Sequence, residues 1–73
     1  SVYFSRLFKQ ETGQTFSEYC IDLRIKKAIQ YLKDPRYKIY EIGYLVGYKN
    51  AKYFHKLFKR QTGLTPSEYR DQL

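Results

Sequence analysis

The stretch that decides the fold is residues 39–63, which read IYEIGYLVGYKNAKYFHKLFKRQTG. In its first part, Ile39, Ile42 and Val46 fall at positions i, i+3 and i+7, the spacing of one apolar face of a helix. Gly47 follows directly, at a point where a turn needs a residue that tolerates a positive φ angle. The pattern therefore predicts a short helix that ends in a turn.

The second part of this stretch starts a new helical pattern after the turn. Asn50 is a favoured N-cap residue, because its side chain can accept a hydrogen bond from a free amide of the first turn. Phe54, Leu57 and Phe58 then fall at i, i+3 and i+4, which again predicts one apolar helical face. A helix, a turn with Gly and a second helix form a helix-turn-helix, a motif whose second helix can enter the major groove of DNA.

Positive charge is concentrated on the side of the second helix that faces away from its apolar residues. The residues opposite the apolar face or on its flanks are Lys52, His55, Lys56, Lys59 and Arg60. No Asp or Glu occurs in residues 42–67. An exposed lysine face is most often merely solvated, but such a face normally mixes Lys with Glu. The absence of acidic residues here favours a polyanionic partner.

The composition limits the chain to one small domain and excludes several kinds of site. Its 73 residues carry 14 Lys and Arg against 7 Asp and Glu, a net charge of +7. Cys20 is the only cysteine and His55 the only histidine, so neither a disulfide within the chain nor a four-ligand zinc site can form. The sequence has no disulfide framework, signal peptide or long apolar run. These features predict a cytoplasmic protein that needs no metal and no cofactor.

Other functions fit the same composition less well. The net charge alone also fits a basic interaction module that binds an acidic protein or an anionic membrane surface. A membrane helix needs a free apolar face opposite its lysines, whereas here folding uses that face first. The nine Tyr and five Phe could stack on unpaired bases, but most lie at helical spacing beside other apolar residues, which favours the core. The sequence predicts no enzyme, because it has no Gly-rich phosphate loop, HExxH motif or usefully spaced Cys-His pair.

The chain contains two copies of one unit at an offset of fifty residues. Residues 3–19 read YFSRLFKQETGQTFSEY and residues 53–69 read YFHKLFKRQTGLTPSEY, with eleven of 17 positions identical. Each copy has a Gly where a left-handed residue would end a helix, and a Thr three residues before a Glu, the pattern of a capping box. The residues concerned are Gly13, Thr15 and Glu18 in the first copy and Gly63, Thr65 and Glu68 in the second.

The patterns together predict an all-α fold, because no alternating strand pattern appears. The predicted segments are a first helix within residues 1–13, a long helix over 16–33, the helix-turn-helix at 39–63 and a closing helix within 65–73. The long helix would measure roughly 27 Å, a rigid spacer for two DNA-reading helices on grooves ~34 Å apart. The first copy has no helix before it, so we expect that elements preceding Ser1 are missing.

Four motifs in this chain resemble one family. They are RIKKAxxxL at 24–32, EIGxxVGY at 41–48, YFxxLFK at 53–59 and TGxTPSEYR at 62–70. Together they resemble the DNA-binding domain of AraC/XylS-type bacterial transcription regulators over essentially the whole chain. The resemblance implies two helix-turn-helix units, joined by a long helix, that bind successive major-groove segments of double-stranded DNA. Such a chain keeps the first recognition helix, the linker helix, the complete second unit and the closing helix. It further implies RNA polymerase as a second partner, and an effector-binding or receiver domain elsewhere in the full-length chain.

The resemblance also assigns DNA contacts to individual positions. The family's base-facing positions fall at Ser1, Val2, Ser5 and Arg6 on the first recognition helix, and at Ala51, Lys52, His55 and Lys56 on the second. Of these, the expected base contacts with polar side chains are Ser5, Arg6, Lys52, His55 and Lys56. The expected backbone contacts are Lys9, Asn50, Lys59 and Arg60, which would position the protein on the duplex without reading its sequence.

Two features depart from the family pattern. Gly43 stands where the family usually has Ala, which would destabilise that helix by about 1 kcal/mol while allowing close packing. Val2 and Ala51 offer no hydrogen bond, so at those positions the chain can make only apolar contacts, such as one with a thymine methyl group.

Overall fold

The computed structural model describes Arg6 and residues 9–73, and the regular secondary structure of this part of the chain is all helical with no β-strand, as predicted. Its helices are α1 (Phe16–Leu32), α2 (Ile39–Leu45), α3 (Ala51–Thr62) and α4 (Pro66–Asp71). The predicted first helix lies partly outside the described residues. Arg6 and residues 9–12 are helical, and Gly13 follows with the left-handed φ of 78° that the repeat predicts.

Helices α1 to α4 pack around one core made from the predicted apolar faces. The buried apolar residues are Ile25, Ala28, Leu32, Ile42, Val46, Tyr48, Phe54, Leu57 and Phe58. Phe54 and Phe58 are fully buried, with ring centroids 5.8 Å apart. The ring of Phe58 also meets that of Tyr69 edge-on at 5.5 Å, which joins α4 to the core. Because these phenylalanines point inward, the opposite side of α3 remains at the surface.

The two copies of the repeat begin their second helix in different ways. At α4 the Thr65 hydroxyl accepts from the Glu68 amide at 3.2 Å, and the Glu68 carboxylate accepts from the Thr65 amide at 2.9 Å, the predicted capping box. The hydrogen bonds from Thr65 hold the pKa of Glu68 below its ordinary value. At α1 the Thr15 hydroxyl also accepts from the Glu18 amide, but the Glu18 carboxylate bonds to that hydroxyl at 2.9 Å instead.

Arg70 closes the carboxyl end of α1 from the far end of the chain. Its Nε donates to the carbonyl of Leu32 at 3.0 Å, and its Nη2 donates to the carbonyls of Asp34 at 3.3 Å and Tyr31 at 3.5 Å. The last carbonyls of a helix lack donors within the helix and carry partial negative charge, so a guanidinium there both bonds and neutralises them. The contact ties α4 to the long helix.

Replacement of Arg70 tests this contact. Arg70→Gln is expected to lower the free energy of unfolding by about 1–3 kcal/mol, because it removes a charged donor from several carbonyls. Urea denaturation followed by circular dichroism measures the change. Lys26→Gln, in an exposed lysine in the middle of α1, is the control and should change stability by less than about 0.5 kcal/mol. Equal stability of the two variants would contradict the assignment.

The connector between α1 and α2 is held by a local ion pair. The Arg36 side chain donates to both oxygens of Asp34, from Nε to Oδ1 at 3.0 Å and from Nη2 to Oδ2 at 2.7 Å. The Arg36 amide also donates to Oδ1 at 3.0 Å. These hydrogen bonds, the side-chain ones first, lower the pKa of Asp34 from 3.8 to about 2.

This shift predicts how the connector responds to acid. The pKa of Asp34 is lowered on folding, so its ionised form stabilises the fold above pH 3.8, and this contribution is lost as the pH falls towards about 2. Arg36→Gln should raise the pKa of Asp34 towards 3.8, measured by NMR titration of its carboxyl carbon. Lys33→Gln, which removes a neighbouring charge without a hydrogen bond, is the control. A pKa that stays near 2 in Arg36→Gln would contradict the stated cause.

Candidate nucleic-acid interface

The turn between α2 and α3 depends on a glycine, as the sequence predicts. Gly47 has a φ of +105°, a conformation that L side chains rarely adopt. Its amide donates to the carbonyl of Tyr44 at 3.0 Å, and the amide of Tyr48 donates to that of Gly43 at 2.8 Å. These bonds close the end of α2 and direct the chain into α3.

Helices α2 and α3 cross where Gly43 meets Phe54. A Cβ atom on Gly43 would lie 3.1 Å from Phe54 Cδ2, 3.2 Å from Cγ and 3.3 Å from Cβ. The buried ring therefore packs directly on the backbone of α2. This close approach sets the position of α3 and supports the interpretation that a small residue is needed at position 43.

Helix α3 begins at an N-cap that leaves its first amides near the surface. The Asn50 side chain accepts from the Tyr53 amide at 3.1 Å, as predicted. Lys59 and Arg60 lie in the last turn, where their charge also stabilises the partial negative charge of the helix end. Gly63 then ends the helix with a left-handed φ of 85°.

The outer side of α3 forms a shallow concave surface, here called the α3 face. It is lined by Asn50, Lys52, Tyr53, His55, Lys56 and Lys59. Lys52, Lys56 and Lys59 are exposed, and no acidic side chain belongs to this set. A row of exposed cations on the second helix of a helix-turn-helix suits the phosphates and base edges of a DNA groove.

Comparison with known proteins agrees with this geometry. A family model described as a helix-turn-helix domain matches residues 1–72. The C-terminal domain of AraT, a response regulator from Geobacillus stearothermophilus, superposes with a TM-score of 0.94 at 38% identity, covering 99% of this chain and 60% of that one. The chain belongs to the AraC-type family of DNA-binding domains. The resemblance seen in the sequence is thereby confirmed.

Two further structures resemble this AraC-type domain. The C-terminal domain of the two-component response regulator yesN from Fusobacterium nucleatum matches with a TM-score of 0.88 at 37% identity, over 93% of this chain and 66% of that one. A transcriptional regulator from Chromobacterium violaceum with an AraC-type DNA-binding domain matches with a TM-score of 0.86 at 34% identity, over 93% and 61%. The chain thus spans less than two thirds of the length of each of these three structures. No curated protein gives a significant sequence match.

The family determines the broad function. AraC-type domains are DNA-binding modules of transcription regulators, and this chain is such a domain. Within Arg6 and residues 9–73, no three His, Cys, Asp or Glu side chains are grouped to hold a metal ion. No helix in the same residues is long and apolar enough to cross a membrane.

The predicted contact residues fall into three groups in this AraC-type domain. The structure brings five of the six from the second unit onto the α3 face: Asn50, Lys52, His55, Lys56 and Lys59. The sixth, Arg60, is exposed but does not line that face. From the first unit, Arg6 and Lys9 are exposed on helical residues, and Ser5 lies outside the described residues.

His55 differs from the lysines around it. It is half-buried, and its Nε2 atom is buried with no hydrogen-bond partner in the described residues. Its ring lies 5.8 Å from that of Phe54, so it packs along the edge of the core. Either a change in the side-chain rotamer or contact through Nδ1 would be needed for His55 to reach a base.

Exposed tyrosines are the residues that the sequence analysis missed. Tyr40 is 64% exposed, Tyr44 is 61% exposed and Tyr53 is 50% exposed, although most aromatic residues were expected in the core. Tyr53 lines the α3 face beside Lys52 and Lys56. The direction of the Tyr53 side chain could have been deduced from helical geometry. Tyr53 precedes the buried Phe54 by one residue, so its side chain points about 100° away around the helix axis.

The crossing of α2 and α3 yields a test of packing in this domain. Gly43→Ala is expected to lower the free energy of unfolding by about 0–2 kcal/mol, because overpacking against Phe54 outweighs a helix-propensity gain of about 1 kcal/mol. Urea denaturation measures the effect. In a Phe54→Ala background the same substitution should cost less stability, since Phe54 Cγ and Cδ2, the two atoms closest to the added methyl group, are gone. A single Gly43→Ala variant more stable than the wild type would contradict this account.

Proposed function

We propose that this AraC-type domain binds specific double-stranded DNA sequences within a bacterial transcription regulator, with two recognition helices inserted in successive major-groove segments. The observation that carries the proposal is the α3 face. Its cations are exposed because Phe54 and Phe58 on the opposite side are fully buried. The major groove of a DNA duplex is wide enough to admit such a helix, and it presents phosphates and base edges to the side chains on the helix surface.

The dimensions of the chain support engagement of two groove segments. Helix α1 has 17 residues and is therefore about 26 Å long at 1.5 Å per residue. The longest dimension of the fold is 41 Å, compared with ~34 Å between successive turns of one groove. We assign residues 1–13 to the first recognition helix, 16–33 to the linker helix, 39–63 to the second unit and 65–73 to the closing helix.

The proposed contacts divide into base readers and positioners. The base readers are Ser5 and Arg6 in the first unit and Lys52, His55 and Lys56 in the second. Arg6 has the fork of donors that pairs with the O6 and N7 acceptors of guanine, and a lysine can donate to the same atoms. The proposed phosphate contacts are Lys9, Asn50, Lys59 and Arg60, where Asn50 marks the amide end of α3.

The context of the domain is also part of the proposal. We place the full-length protein in the cytoplasm, where its DNA lies, and we infer a separate effector-binding or receiver domain that controls it. Two similar structures are C-terminal domains of proteins described as response regulators, which supports a receiver domain for this protein too. RNA polymerase is the proposed second partner.

Two lysine substitutions separate positioning from base reading. With duplexes selected by the wild-type protein from a random pool, Lys59→Ala should weaken binding to every sequence alike and reduce the salt slope by ~1. Lys56→Ala should cost about 1–3 kcal/mol and relax the preference at one base position. Fluorescence anisotropy at several salt concentrations measures both effects.

The matched control is Lys26→Ala, in an exposed lysine of α1, which should alter neither affinity nor preference. Anionic vesicles and heparin serve as competitors, because a basic module for membranes or acidic proteins would bind them as well as it binds selected DNA. If Lys56→Ala reduced affinity evenly for all sequences, its assignment as a base reader would be wrong. Failure to enrich any sequence would contradict specific binding itself.

A further inference from the structure

Arg24 makes an unusual contact between the linker helix and the helix-turn-helix. It lies on the exposed side of α1, and its Cζ atom is 5.0 Å from the centroid of the Tyr48 ring. A Cβ atom on Gly47 would lie 3.3 Å from Cζ and 3.5 Å from each terminal nitrogen. The guanidinium therefore lies between an aromatic ring and the backbone of the turn. A side chain at position 47 would crowd it.

Tyr48 also contacts the start of α3. It is only 9% exposed, and its ring centroid lies 5.9 Å from that of Tyr53 and 5.8 Å from that of Phe54. Both neighbours belong to the first turn of α3. Tyr48 is also bonded through its amide to the end of α2. One ring thus joins the linker helix, the turn and the second recognition helix.

The Tyr48 ring is a specific partner for Arg24. The guanidinium forms no ion pair within the part of the chain that the structure describes. A planar cation over an aromatic face is attracted by the ring, and an arginine stacks where a lysine cannot. Because the ring is buried and the cation is not, the contact restrains the long side chain without removing its charge from water.

We propose that Arg24 is a positioning residue that sets the angle between α1 and α3 through Tyr48, and so sets the spacing between the two DNA segments that the protein binds. This inference depends on the proposed binding to two groove segments. One added base pair shifts the second segment by about 3.4 Å along the duplex and rotates it by about 34° around it. If the Arg24–Tyr48 contact fixes the angle between α1 and α3, a site with the shifted segment is bound more weakly. If the angle can vary, such a site is bound almost as well as the selected one.

The test measures affinity as a function of spacing. The wild-type protein first selects duplexes from a random pool, and the preferred sequence is then remade with one base pair inserted or deleted between its two halves. Arg24→Ala is expected to reduce the preference for the selected spacing by roughly two- to tenfold, the range that a lost cation–π contact would produce. The affinity loss should appear at the selected spacing and be small at the altered ones.

Three further variants identify the interaction. Tyr48→Phe keeps the ring and should keep the spacing preference, whereas Tyr48→Leu should lose it. Arg24→Lys keeps the charge without the planar stack and should fall between wild type and Arg24→Ala. Combining Arg24→Ala with Tyr48→Leu should reduce the preference no further than either change alone, because the two residues act as one contact. Circular dichroism confirms that each variant is folded, and Arg24→Ala with Tyr48→Phe suffices if Tyr48→Leu does not fold.

The outcomes separate this inference from the proposed function. If Arg24→Ala weakened binding equally at all spacings, Arg24 would be a phosphate contact or a plain stabilising residue, and the inference would be overturned. A preserved spacing preference in that variant would overturn it as well, while selection of a two-part site by the wild type would leave the proposed function intact. If the wild type selected no such site, both would fail together.

Discussion

Burial of Phe54 and Phe58 is the interaction on which the rest of the structure depends. Both rings are fully buried, one directly against the backbone of Gly43 and the other against Tyr69. Once this side of α3 is held in the core, helical geometry places the lysines outward, where their charge stays hydrated. The same packing decides the fold and the surface proposed to face DNA. For this reason α3, the most basic of helices α1 to α4, is also held in the core by two fully buried rings.

The elements that could be predicted are those governed by nearby residues. The apolar spacing of 39–46 and 54–58, the N-cap at Asn50 and the positive φ at Gly47 all follow from local rules, and the structure has them. The contacts of Arg24 and Arg70 were not predicted, because each joins residues far apart in the chain. No periodicity or cap motif indicates which distant carbonyl or ring a long side chain will meet.

The side chains of the α3 face show the same difference between what could and could not be predicted. Periodicity was sufficient to place Lys52, Lys56 and Lys59 on one surface, since it gives the direction of each side chain around α3. It does not show how closely the neighbouring helices approach each side of α3. That approach leaves His55 half-buried and Tyr53 exposed. Tyrosine is particularly hard to place from sequence, because its ring suits the core and its hydroxyl suits the surface.

The hydrogen bonds of Arg70 have a consequence for the order in which parts of the domain fold during synthesis. The carbonyl of Leu32 receives its donor from a residue 38 positions later. Helix α4 has six residues, too few to persist in water without tertiary support. During synthesis the carbonyl of Leu32 therefore lacks this donor until Arg70 and the rest of α4 have emerged from the ribosome. A nascent chain that stops short of α4 therefore leaves the carboxyl end of α1 without the donors that Arg70 supplies.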